Sequence, residues 1–193
     1  MRRTDRYGGR LAHNHGRVAQ NPFAGVGVSS RTAPTSRSIH VEARIAQLGY
    51  KLPSAPPAPK GSYMNYVHAG KLVHLCGHLP QPTDGPLLSG RLGENMTVEQ
   101  GQHAARLATL QMLASLQQAA GGNLDNVKRC VKIVGFVNST IDFTTQHVVM
   151  NGCSDLMTEI FGFEIGRHAR SSLGTSVLPL NVPVEIEGIF ELK

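Results

Sequence analysis

The segment at residues 184–192 alternates apolar and acidic side chains. Its apolar positions include Val184, Ile186, Phe190 and Leu192, and the acidic positions are Glu185, Glu187 and Glu191. A period of two residues predicts a β-strand with one face in an apolar core and the other face in water. The fold must therefore contain a sheet with a covering layer on the apolar side of this strand.

Residues 98–120 carry a helical pattern. Thr97 followed by Gln100 is a capping box, and Gly121-Gly122 ends the segment. The apolar stripe along this helix consists of Ala104, Leu107, Leu110, Leu113 and Leu116. One face of the helix is therefore expected to be buried.

The remaining elements alternate between strand and helix. A tight Gly70 turn joins the first two strands, and Asp142 is the expected N-cap of the second helix, which ends at Gly162. The predicted elements are a hairpin of residues 63–68 and 72–79, a strand over 127–137, a helix over 143–161, and a final hairpin of 169–178 and 184–192.

The resulting order, β-β-α-β-α-β-β, packs as one mixed sheet with both helices on a single face, which is an α+β architecture. The opposite face of the sheet then has no cover from the chain's own helices. Such a face is often buried by symmetric association, so we expect a homo-oligomer.

Residues 1–40 differ in composition from the rest of the chain. They contain seven arginines, no lysine and a single acid, Asp5. An Arg-rich, Ser-rich and acid-poor N-terminus is typical of a mitochondrial transit peptide, which predicts the matrix as destination; a disordered extension is the alternative. Residues 41–60 are interpreted as one or two helical turns followed by a proline-rich connector, and 61–193 as the folded domain.

The net charge of +6 lies wholly in the leader, because residues 41–193 contain twelve basic and twelve acidic side chains. A nucleic-acid-binding domain normally concentrates basic charge on one surface, and single-stranded RNA also needs stacking aromatics. The chain has no Trp and only 5% aromatic residues. These features disfavour an RNA partner.

Two further classes are disfavoured by the sequence. No stretch approaches the ~18–20 uninterrupted apolar residues of a membrane span, so no membrane association through such a span is expected. The cysteines, Cys76, Cys130 and Cys153, are odd in number and form no CxxC pair. This pattern argues against a disulfide scaffold or a structural zinc site and fits a reducing compartment.

Several short motifs occur in order along residues 61–193. They are Gly61-Ser62-Tyr63, Leu75-Cys76-Gly77-His78-Leu79-Pro80, Phe136-Val137-Asn138 with Asp142-Phe143, Ala169-Arg170-Ser171, and Val184-Glu185-Ile186-Glu187. Together they resemble the RidA/YjgF family, also called endoribonuclease L-PSP. The resemblance implies a chorismate-mutase-like fold, a homotrimer with active sites between subunits, and hydrolysis of reactive 2-imino and 2-enamino acids released by pyridoxal-phosphate enzymes.

The resemblance also implies roles for individual residues. Arg170 would bind the substrate carboxylate, for which the planar guanidinium fork is suited. Glu185 would hold the attacking water and carry its proton, if burial raises its pKa. The two are expected to approach each other across the final hairpin.

Three more positions are candidate substrate-binding residues. Tyr63 would line the side-chain pocket and Asn151 would lie beside the substrate on the second helix. Cys76 departs from the family, which commonly has Ser-Gly-Gln where this chain has Cys76-Gly77-His78. His168, two residues before Arg170, is either a tuning residue of the pocket or an ordinary packed histidine.

Alternation along the second strand would place His74, Cys76 and His78 on one face. Their spacing of about 6–7 Å per pair is too wide for one zinc ion, so no metal site is predicted. A covalent Cys-His enzyme needs a base that sequence alone does not place.

The leading hypothesis is thus a hydrolytic imine deaminase that needs neither metal nor organic cofactor, because the substrate is already electrophilic. Its products would be a 2-oxo acid and ammonia. The alternatives are an endoribonuclease or translation inhibitor, and a non-enzymatic module that binds a small ligand in the same cleft.

Overall fold

A five-stranded mixed sheet forms the centre of the fold in the computed structural model, which describes residues 40–193. The elements are α1 (Val41–Gln47), β1 (Tyr66–Ala69), β2 (Leu72–His78), α2 (Val98–Ala119), β3 (Val127–Asn138), α3 (Gln146–Val149), α4 (Asn151–Gly166), β4 (Ala169–Thr175) and β5 (Val184–Leu192). The α+β architecture predicted from the sequence is confirmed.

The strand order is β1-β2-β5-β3-β4. The alternating segment is the central strand, β5, which pairs antiparallel with both β2 and β3. Val184, Ile186 and Phe190 are fully buried on the helix-covered face, whereas Glu185 and Glu187 lie part-exposed on the other. We call this other face the open face of the sheet.

The predicted final hairpin is wrong, because β3 lies between β4 and β5. β4 instead runs parallel to β3, with Arg170 beside Ile133. Parallel neighbours need a crossover connection, and α3 and α4 supply it between β3 and β4. β4 and β5 are therefore close in sequence but do not pair in the sheet.

The long helix α2 forms as predicted. The Thr97 hydroxyl accepts from the Gln100 amide at 3.3 Å, and the Gln100 side chain accepts from the Thr97 amide at 2.9 Å. Gly152 of α4 lies so close to α2 that a Cβ there would approach the Gln102 carbonyl oxygen within 2.2 Å. This glycine lets the two covering helices pack backbone to backbone.

The second predicted helix is two helices, α3 and α4, which meet at Met150. Asp142 is not its N-cap, because α3 begins only after Thr145. Gly162, the expected end, has a φ of +76° that interrupts α4, although helical structure continues to Gly166. The break follows from the left-handed backbone that glycine adopts without a Cβ clash.

The packed core begins at Val41, earlier than the boundary at residue 61 expected from sequence. Val41 and Ile45 of α1 are buried in the core. Glu42 accepts hydrogen bonds from the Leu124 amide at 2.7 Å and the Gln117 side chain at 3.1 Å. The predicted leader, apart from His40, lies outside the described residues.

The described helices cover one face of the sheet only. On the open face Val67 and Leu173 are 56% and 50% exposed. No helix within residues 40–193 is long and apolar enough to cross a membrane.

Candidate functional site

Arg170 lies near the start of the edge strand β4, beside the buried Ile133, and its side chain reaches toward α3 and α4. Its Nη1 donates to Asn151 Oδ1 at 3.0 Å and to Ser154 Oγ at 2.9 Å. Its Nη2 donates to the His147 carbonyl oxygen at 3.2 Å. Asn151 and Arg170 are therefore brought together, and their roles in substrate binding stay predictions.

These bonds use three of the five guanidinium N–H groups. Nε–H and one Nη2–H of Arg170 have no partner among the described residues. No carboxylate within residues 40–193 lies within 4.0 Å of this guanidinium. Arg170 is thus a fixed cation with donors left on one edge, which is the geometry that accepts a carboxylate.

Ser154 connects Arg170 to His168. His168 Nδ1 lies 2.7 Å from the Gly166 carbonyl oxygen, which can only accept, so Nδ1 carries the ring proton. His168 Nε2 then accepts from the Ser154 hydroxyl at 3.0 Å. Burial and the nearby Arg170 lower the pKa of His168, so the ring stays neutral and keeps Ser154 oriented.

Glu185 lies on the open face of β5, opposite Phe136 of β3. Its carboxylate is in contact with Gly77 of β2, where an added Cβ would lie 1.8 Å from Oε1. Burial, and then repulsion from Glu187, raise the pKa of Glu185. A carboxylate with a raised pKa is a better proton acceptor near neutral pH.

A pocket of about 330 Å³ includes Tyr63, Cys76 and Gly77 in its lining. Glu185 does not line this pocket; it adjoins it through its contact with Gly77. The proline-rich segment lines another part of it with Pro57, Ala58 and Lys60. Asn65, also a lining residue, donates to the Pro57 carbonyl oxygen at 2.6 Å and so fixes this segment.

Cys76 is a part-buried free thiol in this pocket. Burial, and then the charge of Glu185, raise the pKa of Cys76. The thiol is therefore protonated, which argues against a covalent cysteine mechanism. Cys76 lines the pocket, and its protonated thiol is a poor nucleophile.

The expected shared face of His74, Cys76 and His78 is wrong. The β2–β5 register shifts between Leu75 and His78, so the bulge turns His78 into the core while His74 stays exposed. Among residues 40–193, no group of three His, Cys, Asp or Glu side chains is placed to hold a metal ion.

Arg170 and Glu185 do not meet within one chain. Their β3 neighbours, Ile133 and Phe136, are three positions apart and so point to opposite faces of the sheet. With one strand between them, the two Cα atoms are roughly 14 Å apart. The chain carries an arginine half-site (Arg170, Asn151, Ser154) and a glutamate half-site (Glu185, Gly77, Cys76, Tyr63).

Ser154, Asn65 and the role of Gly77 were not predicted from the sequence. Ser154 follows Asn151 by three residues, a spacing that places both on one side of a helix, so this pair was detectable. Asn65 contacts Pro57 within an irregular segment, and Gly77 contacts Glu185, which is distant in sequence. Periodicity shows neither contact.

A mixed sheet with its helices on a single face is the fold of a known protein family. Residues 42–191 match the family model described as "YjgF/chorismate_mutase-like, putative endoribonuclease". The chain belongs to this YjgF/chorismate-mutase-like family.

Individual relatives agree with this assignment. The chain is 46% identical over 153 residues to protein TCP17 of Trypanosoma cruzi, covering 79% of this chain and 94% of TCP17. It is 36% identical to the crystal structure of Atu1372 from Agrobacterium tumefaciens, a protein of unknown function, with a TM-score of 0.74 over 81% of this chain and 94% of that one. A structure from Shewanella oneidensis, called a "putative endoribonuclease", is 35% identical, with a TM-score of 0.74 over 79% and 99% of the two chains.

Proposed function

We propose that the protein hydrolyses 2-imino acids, and the enamino acids that tautomerise to them, to 2-oxo acids and ammonia. The observation that carries this proposal is the Arg170 guanidinium, which three acceptors hold in place while Nε–H and one Nη2–H have no partner among residues 40–193. A small organic acid would supply the carboxylate that this arrangement lacks.

Glu185 would perform the proton transfers. As the water oxygen bonds to C2 of the iminium group, Glu185 takes one water proton, giving a neutral carbinolamine. Glu185 then returns the proton to the amino nitrogen, the C–N bond breaks, and the hydroxyl proton leaves as the carbonyl forms. Ammonia takes up that proton as ammonium, so the chemistry balances with water as the single co-reactant.

The two half-sites would be joined between subunits. Arg170 and Glu185 lie on opposite faces of one sheet, and a head-to-tail ring brings two different patches of neighbouring chains together. A homotrimer of this kind would bury the open face, including Val67 and Leu173. It would also place the Arg170 of one chain beside the Glu185 of the next.

The test uses 2-aminoacrylate generated in situ by a pyridoxal-phosphate lyase, with the rate of pyruvate appearance as the readout. We expect the wild type to accelerate this step and Arg170→Ala to remove the acceleration. Arg167→Ala is the matched control, because Arg167 lies three residues away with its guanidinium 4.3 Å from the Phe163 ring centroid. Equal rates for wild type and Arg170→Ala would overturn the proposal.

Complementation tests the shared site. Arg170→Ala and Glu185→Gln should each be inactive alone. When co-expressed, a random trimer regains both native side chains in about a quarter of its sites, and therefore about a quarter of the activity. No recovery in mixed oligomers, with both variants folded, would exclude a site built from two chains.

An endoribonuclease activity remains the competing function, because the family description and the Shewanella relative carry that word. The balanced charge of residues 41–193 gives it no support. The endoribonuclease function would be favoured if the wild type and Arg170→Ala cleaved single-stranded RNA equally well and the wild type did not hydrolyse 2-aminoacrylate.

A further inference from the structure

A second pocket, of about 290 Å³, lies at the carboxyl ends of β3 and β4. None of the half-site residues lines it. β3 and β4 are the parallel pair of the described sheet. Loops leave the carboxyl ends of parallel strands in a shared direction, and the crevice between such loops is a common place for ligands.

The lining of this pocket is rich in hydrogen-bonding side chains around one cation. The polar contributors are Arg91, Ser139, Thr140, Gln146, Thr175 and Ser176. No carboxylate belongs to this lining. Four hydroxyls and a guanidinium favour a ligand that accepts hydrogen bonds and carries negative charge.

Arg91 is held in place by hydrogen bonds but keeps a donor that no described residue uses. Its Nη2 donates to the Ser139 carbonyl oxygen at 3.2 Å, and its backbone amide donates to Asn95 Oδ1 at 2.7 Å. Its Nε is buried and has no hydrogen-bond partner among the described residues. A buried N–H of a charged group without a partner is costly, so an acceptor in the pocket would stabilise it.

Glu94 competes only weakly for this cation. Its Oε2 lies 3.5 Å from Arg91 Nη1, and the Glu94 side chain is more than half exposed. An exposed pair at this distance contributes little, so an anion in the pocket can displace the Glu94 carboxylate.

Gly174 keeps the floor of the pocket open. A Cβ at this position would lie 2.8 Å from Gln146 Nε2 and 3.1 Å from Ser139 Oγ. Any side chain here would push against the polar lining and fill part of the space.

We propose that this pocket is a second ligand site, which binds the oxyanion group, carboxylate or phosphate, of a small molecule. Arg91 and the surrounding hydroxyls recognise the oxyanion. The site is independent of the proposed deaminase chemistry, because it shares no residue with either half-site.

The experiment is a pair of NMR titrations of the full-length protein, one with inorganic phosphate and one with acetate. We expect the amides of Ser139, Gly174 and Thr175 to shift with at least one anion, and the responding anion identifies the group that the site takes. Because the readout is site-resolved, anion binding at Arg170 is seen separately.

Arg91→Gln should weaken the affinity at these amides at least about tenfold, because it removes a charged donor. Glu94→Gln should strengthen it, since the competing carboxylate is gone. Ser176→Ala is a second weakening variant if Arg91→Gln fails to fold, because the Ser176 hydroxyl lines the pocket. Arg106→Gln, on α2, is the unaffected control. Absence of shifts with both anions at about 10 mM, or shifts that neither weakening variant reduces, would overturn the proposal.

Discussion

The carboxylate of Glu185 packs against the backbone of Gly77, so closely that a Cβ on residue 77 would lie 1.8 Å from Oε1. The contact joins β5 to the irregular end of β2, where the register shifts between Leu75 and His78. Gly77 therefore provides the space in which Glu185 takes its part-buried position. This relationship links a backbone irregularity to the electrostatics of the proposed proton acceptor.

Gly77→Ala should abolish most of the proposed deaminase activity while the protein still folds. The atoms nearest the new methyl group all belong to the flexible Glu185 side chain, so the side chain moves and the backbone does not. Loss of a positioned general base costs on the order of 100-fold or more in rate. Steady-state kinetics together with a thermal melt measure both effects.

The control is Gly61→Ala, whose added methyl group would meet only the Tyr63 ring at an ordinary 3.5 Å. It should keep both activity and melting temperature. If Gly77→Ala retained wild-type kinetics, activity would not depend on the position of Glu185 against Gly77.

Ser154→Ala should raise KM more than it lowers kcat. The variant removes one of the two acceptors of Arg170 Nη1 and separates His168 from the arginine, so the guanidinium loses part of its fixed orientation. A hydrogen bond to a charged group contributes about 1.5–3 kcal/mol, which corresponds to roughly a tenfold change or more in KM.

Thr158→Ala, one turn further along α4, is the matched control for Ser154. The Thr158 hydroxyl donates only to the Asp155 carbonyl oxygen, so its removal should leave KM unchanged. A fall in kcat with KM unaltered in Ser154→Ala would contradict a role in carboxylate binding.

Local patterns predicted most of the fold. The capping box at Thr97 fixed the start of α2, and the alternation at 184–192 identified β5 and its buried face. The place of β4 could not be predicted in this way, because pairing with β3 depends on the crossover through α3 and α4. The position of α1 likewise depends on hydrogen bonds from Leu124 and Gln117 to Glu42, and these partners are distant in sequence.

The same division applies to the candidate site. The resemblance named Arg170, Asn151, Tyr63 and Cys76 as site residues, and their roles stay predictions. In the structure Arg170 Nη1 lies 3.0 Å from Asn151 Oδ1, and Tyr63 and Cys76 line one pocket. The expected approach of Arg170 to Glu185 followed from the wrong hairpin. A single chain keeps them on opposite faces of the sheet, so the sequence identified the components but not their assembly.

Glu187→Gln should shift the acid limb of the pH profile of the proposed deaminase activity to lower pH. Glu187 is one of the causes that raise the pKa of Glu185, and its neutralisation lets Glu185 ionise more easily. Activity requires the ionised form, so it is present above the pKa of Glu185 and lost as pH falls through it. The profile of kcat/KM against pH measures the shift.

Glu191→Gln on the same strand is the control for Glu187. Glu191 pairs with Lys128 at 2.7 Å and does not contribute to the raised pKa of Glu185. The acid limb of the Glu191→Gln pH profile should coincide with that of the wild type. If the acid limb of Glu187→Gln also coincided with that of the wild type, Glu187 would not act on the ionisation of Glu185.

The buried His78 should make folding stability depend on pH below neutrality. His78 Nδ1 lies 2.8 Å from the Cys76 carbonyl oxygen and Nε2 lies 2.7 Å from Ser115 Oγ. A carbonyl only accepts, so Nδ1 carries the proton and Nε2 accepts from Ser115. Burial lowers the pKa of this histidine from 6.5 to about 4.

The unfolded chain therefore binds a proton at His78 that the folded chain excludes between these two pKa values. The stabilisation by neutral His78 is complete above the unfolded pKa of 6.5 and is lost as pH falls toward about 4. The loss amounts to roughly 3 kcal/mol of unfolding free energy. Urea unfolding at pH 7 and pH 4, at one fixed protein concentration, measures the fall in unfolding free energy. This fall should be larger by that amount in the wild type than in His78→Gln. Glutamine offers a donor and an acceptor but no titrating group, so equal losses in the two proteins would mean that His78 is not held neutral in the fold.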